Sequence, residues 1–156
     1  MCDDRRWDGL EGDVKACIRV LNEYFSDVVR AGHITILLSD DHELQKLNRQ
    51  FRGKDTPTNV LSFPAVDDGI AVPELSDEHL GDIAISFDRC KDEAMSGSIP
   101  LAHHVRHLVI HGTLHVFGHD HQNEDEAKVM ESLETRILEK MSIPDPYQDN
   151  PVEFFS

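Results

Sequence analysis

Apolar residues in the 156-residue chain recur at two different spacings. Between about residues 11 and 30 they follow the three- and four-residue spacing of a helix with one buried face. The residues of that face are Val14, Cys17, Ile18, Leu21, Phe25 and Val28. Three short aliphatic and β-branched runs, at about 34–38, 59–63 and 81–85, predict strands instead.

Capping residues predict where further helices begin. Asp40 followed by Glu43 forms a capping box, and the helix that it opens is expected to reach Phe51 and end at Gly53. The Ser86 side chain can also cap the start of the next helix. The strands and helices therefore interleave, which predicts an α+β or α/β layer with a small mixed sheet.

A central helix is predicted from about Leu101 to Phe117, and a last helix opens at Asn123. Arg106 is the only formal charge in the central helix besides its histidines, although 29% of the whole chain is charged. We therefore expect this helix to be mostly buried. The residues of the last helix that are expected to face the core are Met130, Leu133, Ile137 and Met141.

The length suits one domain over residues 1–156, large enough to bury a core without disulfides or a structural metal. Three prolines predict an extended tail over about residues 143–156.

Three histidines follow a spacing that can hold a metal ion. His111 and His115 lie on the same helix face, about 6 Å apart along its axis. Gly118 can adopt the left-handed conformation that ends a helix, and the chain can then turn back and bring His121 to the same point. Three nitrogen ligands with a fourth position left open are the pattern of a catalytic zinc site. We therefore expect His111, His115 and His121 to bind one zinc ion per chain.

Further histidines surround these three, at 103, 104, 107 and 119. His107 is a poor third ligand, because along a straight helix axis it lies about 12 Å from His115. We expect His104 and His107 to support the site or line its cleft, and His103 and His119 to face solvent.

Gly112 follows the first histidine of the triad. Zinc proteases with this spacing carry glutamate there as the general base. The glycine therefore weakens the interpretation of the site as a protease.

The stretch from 111 to 121 resembles the signature of the YbeY family of bacterial endoribonucleases, which act in ribosomal RNA maturation. Segments FRGKDTPTNVLSFP at 51–64, LGDIAIS at 80–86 and DPY at 145–147 agree with it in type and order. The resemblance implies an enzyme that cuts single-stranded RNA in ribosomal RNA precursors, with the small ribosomal subunit and its proteins as partners. It also implies a sheet of about four strands packed with helices around the central one. The strand pattern leaves one strand unlocated, expected near 70–72.

Cleavage of a phosphodiester calls for a cation fixed opposite the metal. Arg52 is the candidate, because its planar fork can hold two phosphate oxygens and it begins the loop that the resemblance places beside the metal. Arg52 and His115 are thus the predicted catalytic residues, and Arg49, Arg52 and Lys54 are the predicted substrate-binding residues. The alternative is that Arg52 is a surface residue that pairs with Asp55.

The net charge of −15 opposes binding to nucleic acid at long range. Four cations, at 46, 49, 52 and 54, nevertheless fall within nine residues that contain no acid. A solvated helix face is the ordinary explanation for such a cluster. A basic mouth in an acidic shell would favour a specific RNA site over indiscriminate binding, and DNA is not an expected partner.

The three cysteines are widely spaced and odd in number, which is typical of reduced thiols in a cytoplasmic protein. Apolar runs are short and no charged-then-apolar leader is present, so neither a membrane-spanning helix nor a secretory signal is expected.

Three classes of function remain open. The first is a zinc-dependent, single-strand-specific endoribonuclease of ribosomal RNA processing and ribosome quality control. The second is a metallohydrolase of another bond, such as a metalloprotease. The third is a non-catalytic ribosome-assembly factor in which the metal is structural.

Overall fold

The computed structural model describes residues 5–25, 32–64, 78–119 and 123–146. In these ranges a short 3-10 turn precedes five α-helices and three strands. The helices are α1 (Glu11–Tyr24), α2 (Asp41–Arg52), α3 (Phe87–Ser96), α4 (Leu101–Val116) and α5 (Glu124–Lys140). The strands are β1 (Gly32–Ser39), β2 (Val60–Pro64) and β3 (Glu78–Ser86).

The predicted helix starts are confirmed by their capping bonds. The Asp40 carboxylate accepts a hydrogen bond from the Glu43 backbone N–H at 2.9 Å, and Asn123 caps α5 in the same manner. Helix α2 ends one residue later than predicted, at Arg52, and Gly53 follows it in the left-handed conformation with φ 69°. These ends are local features, so the sequence is enough to predict them.

The first helix is shorter than predicted. It ends at Tyr24, whereas the apolar spacing predicts a helix that continues to about Arg30. Phe25 leaves the helical conformation and packs its ring edge-on against Phe117, with 5.1 Å between the ring centroids. A contact with a residue so distant in sequence explains why periodicity alone placed the end too late. Val28, the last predicted core position, lies outside the described residues.

The sheet is mixed, as predicted. Its strands lie in the order β1-β3-β2, with β1 parallel and β2 antiparallel to β3. Three strands are present in the described ranges, where about four were expected. The position proposed for the fourth, near 70–72, lies outside them. The chain therefore has the predicted α+β class, with one predicted strand not located.

Side chains on the two faces of the sheet enter different apolar clusters. Ile83 and Ile85 of β3 join the main core with α4, whereas Ala84 packs with Leu61 of β2 and Leu44 of α2. This is the alternation that a strand imposes on successive side chains. The sheet thus separates α2 on one face from α4 on the other.

Helix α4 is the buried centre of the fold, as its low charge predicted. Leu108 and Leu114 are fully buried, and the guanidinium of Arg106 reaches Asp13 of α1 at the margin of the core. Helix α5 packs beside α4 and buries Met130 and Ile137. Among the described helices, none is both long and apolar enough to cross a membrane.

Candidate metal centre and nucleic-acid interface

Four histidines form a stripe along α4. Successive ring centroids are 6.3 Å apart between His104 and His107, 6.5 Å between His107 and His111, and 4.6 Å between His111 and His115. The first three rings are buried, and His115 is half-buried. The closest pair is therefore the one predicted to bind metal, and it lies at the end of the stripe that reaches toward solvent.

The ring nitrogens of this pair are arranged as one metal ion would need them. Nε2 of His111 lies 3.1 Å from Nε2 of His115. Two nitrogens bound to one tetrahedral zinc at about 2.0–2.1 Å lie about 3.3 Å apart, so a small outward adjustment accommodates the ion. The two described members of the predicted triad therefore fit zinc.

The turn after α4 has the predicted left-handed glycine. Gly118 has φ 98°, its N–H donates to the carbonyl of His115, and the N–H of His119 donates to that of Leu114, both at 3.0 Å. This pair of bonds is the Schellman motif, which reverses the chain direction at a helix end. His121 follows three residues after the glycine and lies outside the described residues.

The described residues contain no set of three His, Cys, Asp or Glu side chains grouped to hold a metal ion. Two of the three predicted ligands are within these ranges and the third, His121, is not. His103 and His119 were expected to face solvent, and both are half-buried.

Glu134 of α5 is a site residue that the sequence analysis missed. Its side chain is buried, and Oε1 accepts hydrogen bonds from Nε2 of His107 at 2.6 Å and from Nδ1 of His111 at 3.2 Å. Burial alone would raise the pKa of Glu134, but its hydrogen bonds and electrostatic interactions with the rings of His107 and His111 lower it to about 2. One signal was available, because Glu134 lies on the helix face that also carries Met130 and Ile137.

A second polar cluster lies at the other end of the stripe. Nε2 of His104 is 2.9 Å from the Glu93 carboxylate, which also accepts from the Asn59 amide at 3.1 Å. His104 therefore has a carboxylate partner of its own, whereas His107 shares the carboxylate that binds His111. Both histidines were expected to support the metal site. His107 contacts Glu134, the carboxylate that also binds the predicted ligand His111, whereas His104 contacts Glu93.

Gly112 lies where α4 approaches the sheet most closely. The hydroxyl of Ser62 in β2 donates to the carbonyl of Gly112 at 3.0 Å. A Cβ at this position would be 3.0 Å from Cγ2 of Ile83 and 3.2 Å from Oγ of Ser62. The position after the first histidine therefore faces packed side chains, and it leaves no room for the glutamate that a zinc protease carries there.

Arg52 lies at the end of α2, next to the same strand. Its Nη2 donates to the carbonyl of Ser62 at 2.6 Å, and its guanidinium carbon lies 5.6 Å from the centre of the Phe63 ring. Asp55, the partner considered in the alternative interpretation, accepts instead from the amide of Gln45 at 3.0 Å. Arg52 is exposed, and within the described ranges Ser62 is the residue that one of its five N–H donors contacts.

Arg49 and Lys54, the other predicted substrate-binding residues, are exposed beside Arg52. Phe51 is also exposed, with 59% of its surface accessible, and its ring centroid lies 5.3 Å from that of Phe63. We call these residues, Arg49, Phe51, Arg52, Lys54 and Phe63, the basic aromatic corner. It lies at the edge of the sheet, where β2 passes between α2 and α4.

Comparison with known proteins identifies the family. A family model described as Endoribonuclease YbeY matches residues 5–142. Proteins named Endoribonuclease YbeY are 44% identical in Jannaschia sp. (94% of this chain, 97% of that protein) and 41% identical in Ruegeria sp. (96% of each). The fold resembles the solution structure of TM1509 from Thermotoga maritima, with a TM-score of 0.59 at 21% identity over 92% of this chain and 93% of that one. This chain therefore belongs to the endoribonuclease YbeY family.

Proposed function

We propose that this protein is a zinc-dependent, single-strand-specific endoribonuclease that acts in ribosomal RNA processing, notably maturation of the small-subunit RNA, and in ribosome quality control. Family membership supports an RNA-cleaving hydrolase. The observation that carries the metal dependence is the pair of Nε2 atoms of His111 and His115, 3.1 Å apart. His121 would complete the triad from beyond the Gly118 turn.

Zinc bound by three neutral histidines would supply positive charge and would lower the pKa of water near the scissile phosphodiester toward neutrality. His111 is buried and His115 is half-buried, so one of the two described ligands is accessible to solvent, which favours this chemistry. A structural zinc site would instead be closed by four protein ligands and shielded from substrate.

The basic aromatic corner supports binding of an RNA strand. The exposed guanidinium of Arg52 is held at one nitrogen by Ser62 and retains donors for phosphate oxygens. Arg49 and Lys54 add positive charge in a protein whose net charge is −15, so RNA is expected to bind at this corner and to be repelled elsewhere.

Phe51 and Phe63 support the preference for single strands. An exposed aromatic side chain next to cations can stack on an unpaired base, whereas the bases of a duplex are already stacked on each other. The 59% exposure of Phe51 leaves much of its surface available for such a contact. We therefore propose unpaired segments of ribosomal RNA precursors as substrate, with small-subunit proteins as neighbours in the cytoplasm.

The test compares cleavage of one RNA sequence as a single strand and as a duplex. Zinc-loaded wild-type protein should cut the single strand, and His115→Ala should lose both zinc and cleavage. Arg52→Ala should keep zinc yet lose cleavage by about 100-fold or more, the usual scale for one transition-state electrostatic partner. Arg52→Lys should recover part of the rate, because it keeps the charge without the fork.

Arg19→Ala is the matched control, because Arg19 is an exposed arginine on α1. Its cleavage rate should equal that of the wild type. If Arg52→Ala also cuts at the wild-type rate, Arg52 is an ordinary surface charge and the phosphate partner lies elsewhere.

Two outcomes would favour the other functions. Cleavage of casein in place of RNA would support a protease, although the packing around Gly112 disfavours one. A His115→Ala protein that cuts no RNA but still supports ribosome maturation in cells would support a non-catalytic assembly factor.

A further inference from the structure

Glu134 is a carboxylate in the apolar interface between α5 and α4. Only 1% of its surface is accessible, and its helix neighbours Met130, Ile137 and Leu138 are buried as well. Burying an acidic side chain costs free energy unless partners compensate. A leucine at this position would meet the packing requirement alone, so the carboxylate calls for another explanation.

The hydrogen bonds of Glu134 fix which nitrogen of His111 carries a proton. An ionised carboxylate can only accept, so Nδ1 of His111, at 3.2 Å, must donate. In the neutral ring, Nε2 is then left with a lone pair, and this is the nitrogen that lies 3.1 Å from Nε2 of His115. In this tautomer the Nε2 lone pair of His111 can bind the proposed metal.

His107 fixes the carboxylate in turn. Its Nε2 lies 2.6 Å from the same Oε1 atom that His111 contacts. The ring of His107 cannot serve as a third ligand at this end of the helix, but it can hold the glutamate in place. His107, Glu134 and His111 thus form a continuous chain of hydrogen bonds that ends at the ligand pair.

We propose that Glu134 is the positioning residue that sets the tautomer and ring orientation of His111 for zinc. The inference rests on the proposed zinc site and assigns to it a residue from a different helix. Carboxylates that accept the second ring N–H of a metal-binding histidine raise its basicity and fix its direction, and losing one typically weakens metal binding by about 10- to 100-fold.

Zinc affinity is the first measurement, by competition with a chromophoric chelator. Glu134→Gln has nearly the same shape but removes the charge, and it should bind zinc about 10- to 100-fold more weakly than the wild type. Glu139→Gln is the matched control, because Glu139 is exposed on the same helix, and its affinity should equal that of the wild type.

A second measurement separates positioning from simple packing. Nitrogen-15 NMR of the histidine rings in the metal-free protein should show His111 protonated at Nδ1 in the wild type and a mixture of tautomers in Glu134→Gln. If the substitution affected only packing, it would lower the unfolding temperature of the metal-free protein and leave the tautomer and the zinc affinity unchanged.

The outcomes distinguish this inference from the proposed function. If the wild-type protein binds no zinc, the metal site and the role of Glu134 are both refuted. If the wild type binds zinc and Glu134→Gln binds it equally well, only the role of Glu134 is refuted. Should Glu134→Gln fail to fold, the tautomer of the wild-type protein still decides, because His111 protonated at Nε2 would overturn the inference.

Discussion

Replacing Gly112 by alanine tests how closely helix α4 packs on the sheet. The added Cβ would lie 3.0 Å from Cγ2 of Ile83, 3.2 Å from Oγ of Ser62 and 3.3 Å from Cγ2 of Val60. Ile83 and Val60 are β-branched residues on strands, so their side chains have few alternative rotamers. The new methyl group therefore meets neighbours that cannot easily move aside.

Two opposing contributions determine the sign of the effect. Alanine is better than glycine in a helix interior by about 1 kcal/mol. Overpacking a buried contact costs about 1–3 kcal/mol, and here the methyl group is too close to three atoms at once. We expect a net loss of about 1 kcal/mol, which corresponds to an unfolding temperature lower by about 2–4 °C for a domain of this size.

The assay is chemical and thermal unfolding of the metal-free protein, with Gly12→Ala as control. Gly12 is also helical, in α1, but a Cβ there would have nothing within 4 Å. That variant should be more stable by up to about 1 kcal/mol, because only the helix preference changes. If Gly112→Ala were also more stable than the wild type, α4 would not be packed against the sheet as described. The packing of Gly112 would then no longer count against a protease.

Three further predictions concern the core, the thiols and the basic aromatic corner. Leu114→Asp should lower the free energy of unfolding by more than about 4 kcal/mol, because it buries an unpaired carboxylate in α4, while Val129→Asp, at a site 55% exposed, should change it little. Burial raises the pKa of the Cys17 thiol to about 12 and that of Cys90 well above its usual value, so iodoacetamide at pH 8 should label both only after unfolding, as peptide mass spectrometry would show. Phe51→Ala should weaken binding of single-stranded RNA by about 1–3 kcal/mol without changing zinc content, and equal binding would exclude base stacking at this ring.

Local spacing made much of the candidate metal centre predictable. The pair of histidines four residues apart and the glycine that reverses the chain both depend on helix geometry within a few residues. Gly118 has the predicted left-handed conformation, with φ 98°. The approach of His111 to His115 could be predicted for the same reason, whereas the position of His121 stays a prediction.

Features that depend on contacts between distant segments were not predicted. The carboxylate of Glu134 reaches His111 only because α5 packs beside α4, and no local pattern determines which residues of two helices face each other. The early end of α1 likewise depends on the contact of Phe25 with Phe117. The available signal was Glu134, a single acidic residue on an otherwise apolar helix face. Such a residue indicates a buried polar partner, but it does not show which residue that partner is.

Ser62 links the guanidinium of Arg52, at the end of α2, to the histidine-bearing helix α4. Its backbone carbonyl accepts from Arg52, and its hydroxyl donates to the carbonyl of Gly112, the residue after His111. Both bonds are made by one residue of a sheet strand. The sheet, and not the loop after Gly53, therefore sets the separation of the guanidinium from helix α4. A catalytic group supported by a rigid strand keeps its geometry better than one carried on a loop. If zinc and Arg52 act on the same phosphate, as we propose, Ser62 is the reason that their spacing can stay constant while the substrate strand enters over the basic aromatic corner.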